Sequence, residues 1–375
     1  MFIKILFMCL IICILIMLGE ITKVKGFEKL KIERNIENNK VHQGESFTLE
    51  TVVENNKWLP VSFLLIKQML PNEFEYVENI IIEDAGSKFF HISMYNMMNY
   101  ERRRRKYNVK VNKRGTYLFH YMEITVGDVF GFSAQTRDVD NFNEVVVYPE
   151  IMDLCDFRFK TVNSLGDNII RRWIFKDPLY IKGIREYNTE DRMKDIHWKS
   201  SMKMNKLMVK EYDYTSEREL VFIINVQCCD IAYSGILADR IESGIKIAAT
   251  LAQKALKDSI PTGMWTNARI ITRGSKTINK VIPAVNSFEK IMELCARMDY
   301  LTEVEFDKFL EINRKNFNRN ETYVVITPYL NERCCNIFSK LAKQGINIKL
   351  IDISQESNLC KIQGIEKLDF IEEAK

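Results

Sequence analysis

The sequence predicts a multi-domain chain: an N-terminal transmembrane helix, an all-β sandwich domain, then an α/β domain. Three observations carry this. Fourteen uninterrupted apolar residues run from Ile5 to Leu18. Short alternating runs rich in Val, Ile, Phe and Tyr fill residues 27–150. From residue 219 the rhythm becomes strand, helix, strand. At 375 residues the chain exceeds the usual size of one hydrophobic core. Its 46% apolar content supplies core material and argues against intrinsic disorder. The expected boundaries are a membrane anchor over 1–19, a β-sandwich over 27–150, a linker over 151–218 that contains a motif at 183–212, and the α/β domain over 219–375.

The apolar run, extended by Phe2 and Ile3 across Lys4, stands at the short end of what spans a bilayer. No small-residue cleavage site follows it, so a retained single-pass anchor is expected rather than a secretory signal. Lys23, Lys25, Lys29, Lys31 and Arg34 follow the run, against Lys4 and the terminal amine before it. This asymmetry places the soluble domains in the cytoplasm, at the cell membrane. The nine cysteines agree: they are odd in number and scattered, with no C-x-x-C spacing, as buried thiols in a reducing compartment would be.

In the β region "SFTLETVVENN" (46–56), "PVSFLLIKQML" (60–70), "KFFHISMYNM" (88–97), "RKYNVKVNKRGTYLFHYMEITV" (105–126) and "NEVVVYP" (143–149) read as strands separated by Gly, Asn and Pro turns. "ERRRRKYNVKV" reads as an edge or solvent-facing strand whose charges discourage sheet association; attraction to anionic lipid is the functional alternative. In the α/β region "ELVFIINV" (219–226) reads as a strand buried on both faces. A helix of about 23 residues follows, with Ile241, Ile245, Ala248, Ala252 and Ala255/Leu256 on one face. Further expectations are a strand near 260–272, helices near 287–298 and 303–314, a strand over 322–328, a helix over 331–345 and a strand over 346–353. An open, mostly parallel sheet with helices on both faces results. Ligands of such sheets sit at the carboxyl ends of the strands, which points to the loop after Val226.

Composition excludes several classes. Lys plus Arg (54) and Asp plus Glu (50) leave a net charge of only +4, so nucleic acid is not an expected partner. Glycine is scarce, at 15 residues, and "RGSKT" (273–277) lacks the first glycine of a phosphate loop, where Arg269 stands; it reads as a polar turn.

The densest polar chemistry lies in "GIREYNTEDRMKDIHWKSSMKMNKLMVKEY" (183–212). Asp191 is expected to cap a helix through "RMKDIHWKSSMK", with Met193, Ile196 and Ser200 on one side, followed by a strand at 206–212. A nucleophilic set of Ser200 or Ser201 with His197 and Asp191 is disfavoured, because neighbours on one helix point outward side by side. Asp191, His197 and Glu186 form a possible divalent-metal set, but Arg185 and Arg192 compete for the carboxylates. An Arg–carboxylate network with His197 and Trp198 packed into it is the expectation, a seam between domains that shapes a partner surface.

This stretch resembles the signature of domain-of-unknown-function family 58, approximately G-x-R-E-Y-x-x-G-D-x-x-R-x-I-H-W-x-x-S-A. The match falls on Gly183, Arg185, Glu186, Tyr187, Asp191, Ile196, His197, Trp198 and Ser201, with Arg192 two positions ahead of the pattern's second arginine, and "LMVKEY" follows. An N-terminal membrane segment, a β domain with "GDVFGF" (127–132) and a domain resembling von Willebrand factor type A agree with it. Glu190 replaces the usual glycine, and the single membrane segment departs from the many relatives with two. The resemblance implies a membrane-tethered, non-enzymatic adaptor that works with a MoxR-type AAA+ ATPase in assembly or maturation of other proteins. It transfers no catalytic residue and no cofactor. The alternative is a metal-dependent hydrolase using Asp191 and His197. Related type A domains hold Mg²⁺ through Asp-x-Ser-x-Ser after the first strand; here Asn225, Gln227 and Cys229 stand there, and no metal is expected.

Overall fold

The computed structural model describes residues 2–77, 81–84, 89–128, 134–152, 158–159, 181–188, 191, 193–212, 219–230, 235–272, 274, 278–354 and 359–371. The chain divides into two units, Met1–Glu150 and Ile151–Lys375, so the stretch expected as a linker falls within the second.

The first unit opens with helix α1 (Phe2–Lys25). Leu6, Phe7, Met8, Leu10, Ile14, Ile16 and Met17 on it are exposed. Among the described residues no helix is long and apolar enough to cross a membrane; the side chains of Ile5, Ile12 and Leu18 lie outside them. The buried Lys57 donates from Nζ to the Gly26 carbonyl at 2.7 Å, directly after α1, where a cation complements the helix end. Burial pushes the Lys57 ammonium down to about 8.

Ten strands follow: β1 (Leu30–Ile36), β2 (Lys40–His42), β3 (Ser46–Asn55), β4 (Val61–Leu70), β5 (Phe74–Tyr76), β6 (Ile81–Asp84), β7 (Phe89–Met97), β8 (Arg102–Val111), β9 (Gly115–Gly127) and β10 (Ala134–Tyr148). They make a four-stranded sheet, β1-β3-β8-β5, and a six-stranded sheet, β2-β10-β9-β4-β7-β6. Alternation decides which side chains meet between them. Phe47, Leu49 and Val109 from the first sheet pack on Phe119, Val145 and Val147 from the second, and Ile32 and Val53 pack on Leu64, Ile66, Met122 and Ile124. Arg34 is buried in this interior with its guanidinium 5.0 Å from the centre of the Phe119 ring, donating to Asn143 Oδ1 and the Asn141 carbonyl.

The run expected over 105–126 is two strands, because the chain reverses at Asn112–Arg114 and Gly115 takes a positive φ. The basic strand is an edge only in part. Along β8, Arg102 to Lys110 pair with β3, and β5 covers only Val109–Val111 on the other side. Its arginines meet acidic partners: Arg102 with Glu54, Arg103 with Glu101 and Arg104 with Glu50.

The second unit contains β11 (Arg158–Phe159), β12 (Ile181–Glu186), helix α2 (Trp198–Met204), β13 (Met208–Tyr212), β14 (Glu219–Ile224), α3 (Ala238–Lys257), β15 (Thr262–Thr266), β16 (Ala268–Ile270), β17 (Lys280–Ala284), α4 (Phe288–Arg297), β18 (Met298–Thr302), α5 (Phe306–Ile312), β19 (Glu321–Thr327), α6 (Glu332–Lys343), β20 (Asn347–Asp352) and β21 (Glu366–Ile371). Its main sheet has the order β11-β21-β20-β19-β14-β15-β17. The five strands from β21 to β15 are parallel, and both edge strands are antiparallel to their neighbours. Phe306, Phe309 and Leu310 of α5 and Phe338 and Leu341 of α6 cover Val221, Ile223, Tyr323, Val325 and Leu350 on one face. Strand alternation turns Phe222, Ile224, Val324 and Ile326 to the other face, where α3 lies. Gly244 lets α3 sit close, since a Cβ there would stand 2.7 Å from Ile353 Cδ1.

The expected helix through residues 192–203 is interrupted. Met193–Asp195 form a 3-10 turn, Ile196 bridges to Val209, and only then does α2 begin, capped by His197 rather than Asp191. The bridge draws residue 196 into extended backbone, which a continuous helix forbids. The helix expected over 303–314 is α5 followed by a 3-10 turn at Arg314–Asn316.

Candidate functional site

The signature folds as a hairpin with a short helix set into it. β12 and β13 pair antiparallel, with Arg185 opposite Val209 and Glu186 opposite Met208. Across the turn, the Arg185 guanidinium donates to both oxygens of Asp191 at 2.5 and 2.7 Å, a fork matched to a carboxylate. Asp191 Oδ2 also accepts the Asn188 N–H at 2.8 Å. The Arg185 hydrogen bond, aided by that amide, holds the Asp191 carboxyl below its ordinary range. Glu186 pairs with Lys206 at 2.8 Å, both exposed. Tyr187 is half-buried and its N–H donates to the Leu207 carbonyl. Arg192 lies outside the described residues.

His197 is the N-cap of α2: its Nδ1 accepts the Ser200 N–H at 3.1 Å, and its own N–H donates to the Met208 carbonyl. The buried Ser201 hydroxyl accepts the Met208 N–H at 2.8 Å and donates to the His197 carbonyl at 3.1 Å, tying α2 to β13. Asp191, His197 and Ser201 are therefore each engaged in holding backbone. Asn205, in the left-handed region, ends the helix.

Besides charged side chains such as Glu186, Lys199, Lys203 and Lys206, the hairpin leaves large apolar side chains in solvent. Trp198 is 61% exposed and Met202 79%; four positions apart, they share one face of α2. Ile184, Met193, Met204 and Leu207 of the same hairpin are exposed as well. Trp198, an interaction candidate expected to pack into the charged network, instead stands in solvent; sequence reasoning missed Met202 and Met204, although the methionines of "WKSSMKMNKLM" carried the signal.

At the carboxyl end of β14 the positions of the expected degenerate metal sequence build an amide network. The buried Asn225 donates from Nδ2 to Thr327 Oγ1 (2.9 Å) and the Tyr329 carbonyl (3.0 Å), and its Oδ1 accepts from the Gln227 N–H and from Asn267 Nδ2 (2.9 Å each). Asn267 Oδ1 accepts the Val226 N–H, and Gln227 bridges the Cys229 carbonyl and the Phe306 N–H that begins α5. All four bonding positions of the Asn225 amide are used. A divalent ion wants hard, anionic oxygens, and this donor set does not fit one: the amides are neutral and engaged, Cys229 offers sulfur, and Asp230 accepts from the Tyr329 hydroxyl at 2.7 Å. Among the described residues no three His, Cys, Asp or Glu side chains are arranged to hold a metal.

Two clefts open at this edge of the sheet. One, of about 610 Å³, is lined by Gln227, Asp230, Glu305, Asp307, Tyr329 and Arg333. The other, of about 690 Å³, is lined by Leu237, Tyr329, Leu330, Cys335, Leu359 and Cys360. Of the "RGSKT" turn only Gly274 is described; Arg269 pairs with Asp299.

Residues 183–363 match the model of a family described as protein of unknown function DUF58, so the match begins at the signature hairpin and runs through most of the α/β unit. A curated relative, the uncharacterized protein YeaD of Bacillus subtilis (strain 168), is 21% identical over 239 residues, 62% of this chain and 54% of that protein. The chain thus spans about half the length of the curated relative it matches. Among solved structures, a non-cellulosomal cohesin from Archaeoglobus fulgidus is 12% identical and covers 31% of this chain and 91% of its own, with a TM-score of 0.22. The full-length major pilin SpaD from Corynebacterium diphtheriae is 10% identical and covers 31% and 35%, with a TM-score of 0.24. At such TM-scores neither bears on fold or function.

Proposed function

We propose that the protein is a membrane-anchored, non-enzymatic adaptor whose signature hairpin docks onto a MoxR-type AAA+ ATPase that assembles or matures other proteins. The observation that carries this is the division of labour in the hairpin: Arg185, Asp191, His197 and Ser201 hold backbone together, while Trp198 and Met202 stand in solvent. Exposed aromatic and methionine side chains make binding surfaces, because Trp buries a large area at little ordering cost and Met adapts to an irregular partner. A hydrolase using Asp191 would first have to release the Arg185 fork, and one using His197 Nδ1 would have to release the cap of α2.

The anchor is read from the fourteen-residue apolar run together with the exposed side chains along α1. The flanking cations favour the cytoplasm for the soluble units. The mostly parallel sheet with helices on both faces is read as von Willebrand factor type A-like, with the amide network where the metal of such domains would be.

The test is affinity capture of the tagged, detergent-solubilised full chain, with bound proteins identified by mass spectrometry. Wild type retrieves an AAA+ ATPase, and a folded Trp198→Ser/Met202→Ser variant does not. If wild type retrieves no ATPase, the adaptor reading falls.

A further inference from the structure

The second cleft brings together two thiols that neither the signature nor the amide network uses. Cys335 on α6 and Cys360, just ahead of β21, place their sulfurs 2.7 Å apart. A disulfide bond is about 2.05 Å long, so closure needs a shift of about 0.7 Å. The backbone around Cys360 is held in place independently of that contact. The Leu359 N–H donates to Asp352 Oδ2, and the Leu359 carbonyl accepts from Lys367 Nζ. Asp352 is fully buried and ion-paired with Lys367 at 2.8 Å. Leu359 and Ile362 on either side pack into the cluster that contains Phe338 and Leu341 of α6. Cys360 therefore faces Cys335 because the core puts it there.

We propose that Cys335 and Cys360 are a disulfide-forming pair, closed by exchange with a low-molecular-weight disulfide and tying α6 to the segment that leads into β21. Cys360 is exposed and reacts first: its thiolate attacks one sulfur of the reagent RS–SR, forming Cys360–S–SR and releasing RS⁻. Cys335 then attacks the Cys360 sulfur, the bond to SR breaks, and a second RS⁻ leaves. The two protons lost by the cysteines end on the two RSH, so two protein thiols are oxidised and one disulfide reagent is reduced. Burial, with the Cys360 sulfur and Glu332 beside it, pushes the Cys335 thiol up to about 12, so Cys360 is the entry thiol and the second step relies on the 2.7 Å proximity of the two sulfurs. The adjacent Cys334 is buried in the core with Phe338 and does not compete.

The experiment is incubation of the detergent-solubilised full chain with oxidised glutathione, acid quenching, tryptic digestion without reductant, and mass spectrometry. The expected product joins peptide 334–340 to peptide 350–361, with fragmentation placing the bond on Cys335. Because the bond closes a loop 25 residues long, the unfolding midpoint of the second unit rises by about 5–10 °C over the reduced form. Cys335→Ser removes the cross-link and leaves glutathione on Cys360. A wild-type chain in which Cys360 ends as a stable glutathione adduct, stays unmodified, or bonds to Cys334 would overturn the proposal.

Discussion

The signature hairpin and the carboxyl edge of the parallel sheet are both rich in polar residues, yet they use them in opposite settings. In the hairpin the Arg185 end of the Arg185–Asp191 fork is open to water while Asp191 is half-buried, so the pair is partly screened and adds modestly. At the sheet edge Asn225 and Asn267 are 1% exposed, where each unsatisfied donor or acceptor would cost its full desolvation energy. The charged cluster orders a turn, while the neutral one holds β14, β19 and the start of α5 in register. Density of charge is thus a poor guide to where stability resides.

Removing the buried amide should have the largest effect. Asn225→Ala deletes four hydrogen bonds, strands the Gln227 N–H and leaves Asn267 Nδ2 only its long contact to the Val304 carbonyl. We expect a loss of about 3–5 kcal/mol, read from urea unfolding. A loss below about 1 kcal/mol would erase the contrast between the two regions.

A buried group in the first unit extends the same logic to pH. His91 lies in the sandwich interior between the rings of Tyr76 and Tyr107, with Ser93 against its Nε2, and burial, with Arg105 nearby, pushes it down to about 4. The unfolded chain takes up this proton near pH 6.5, so between these values it binds more protons than the folded one. Stability is full above about pH 6.5 and falls by about 3 kcal/mol as the pH drops towards 4. His91→Gln should flatten that part of the profile.

The smallest effects belong to the signature. His197→Ala removes a helix cap and should cost about 1 kcal/mol, while His197→Asp, a stronger cap, should restore it. Restoration of both stability and ATPase capture by aspartate would identify His197 as a structural cap rather than an acid or base. Arg185→Ala should shift the unfolding midpoint less than His197→Ala does.

Much of this architecture is legible in local pattern. The alternation of "SFTLETVVEN" and the unbroken apolar run "ELVFII" declare one-sided and two-sided burial, and Ile241, Ile245 and Ala248 declare the buried face of α3. The rest depends on contacts distant in sequence. The N-terminal half of β10 is too polar to read as a strand until β9 pairs with it. β17 contains Pro283, which only an edge position tolerates. The break at Ile196 comes from its bridge to Val209, thirteen residues on. The identities of Arg185, Asp191, His197 and Ser201 suggest a cluster, but only the geometry separates the residues that brace it from the Trp198–Met202 face.

The most direct test of the proposed docking is the affinity of the purified, solubilised chain for a MoxR-type AAA+ ATPase, the proposed partner, compared among wild type, Trp198→Ala and Asp191→Asn, with circular dichroism verifying each fold. Trp198→Ala is expected to weaken binding at least about tenfold, as loss of an interface anchor does, while a folded Asp191→Asn binds nearly as wild type. Unchanged binding by Trp198→Ala together with its loss in Asp191→Asn would contradict the proposed docking, and would return the charged residues to the centre of the function.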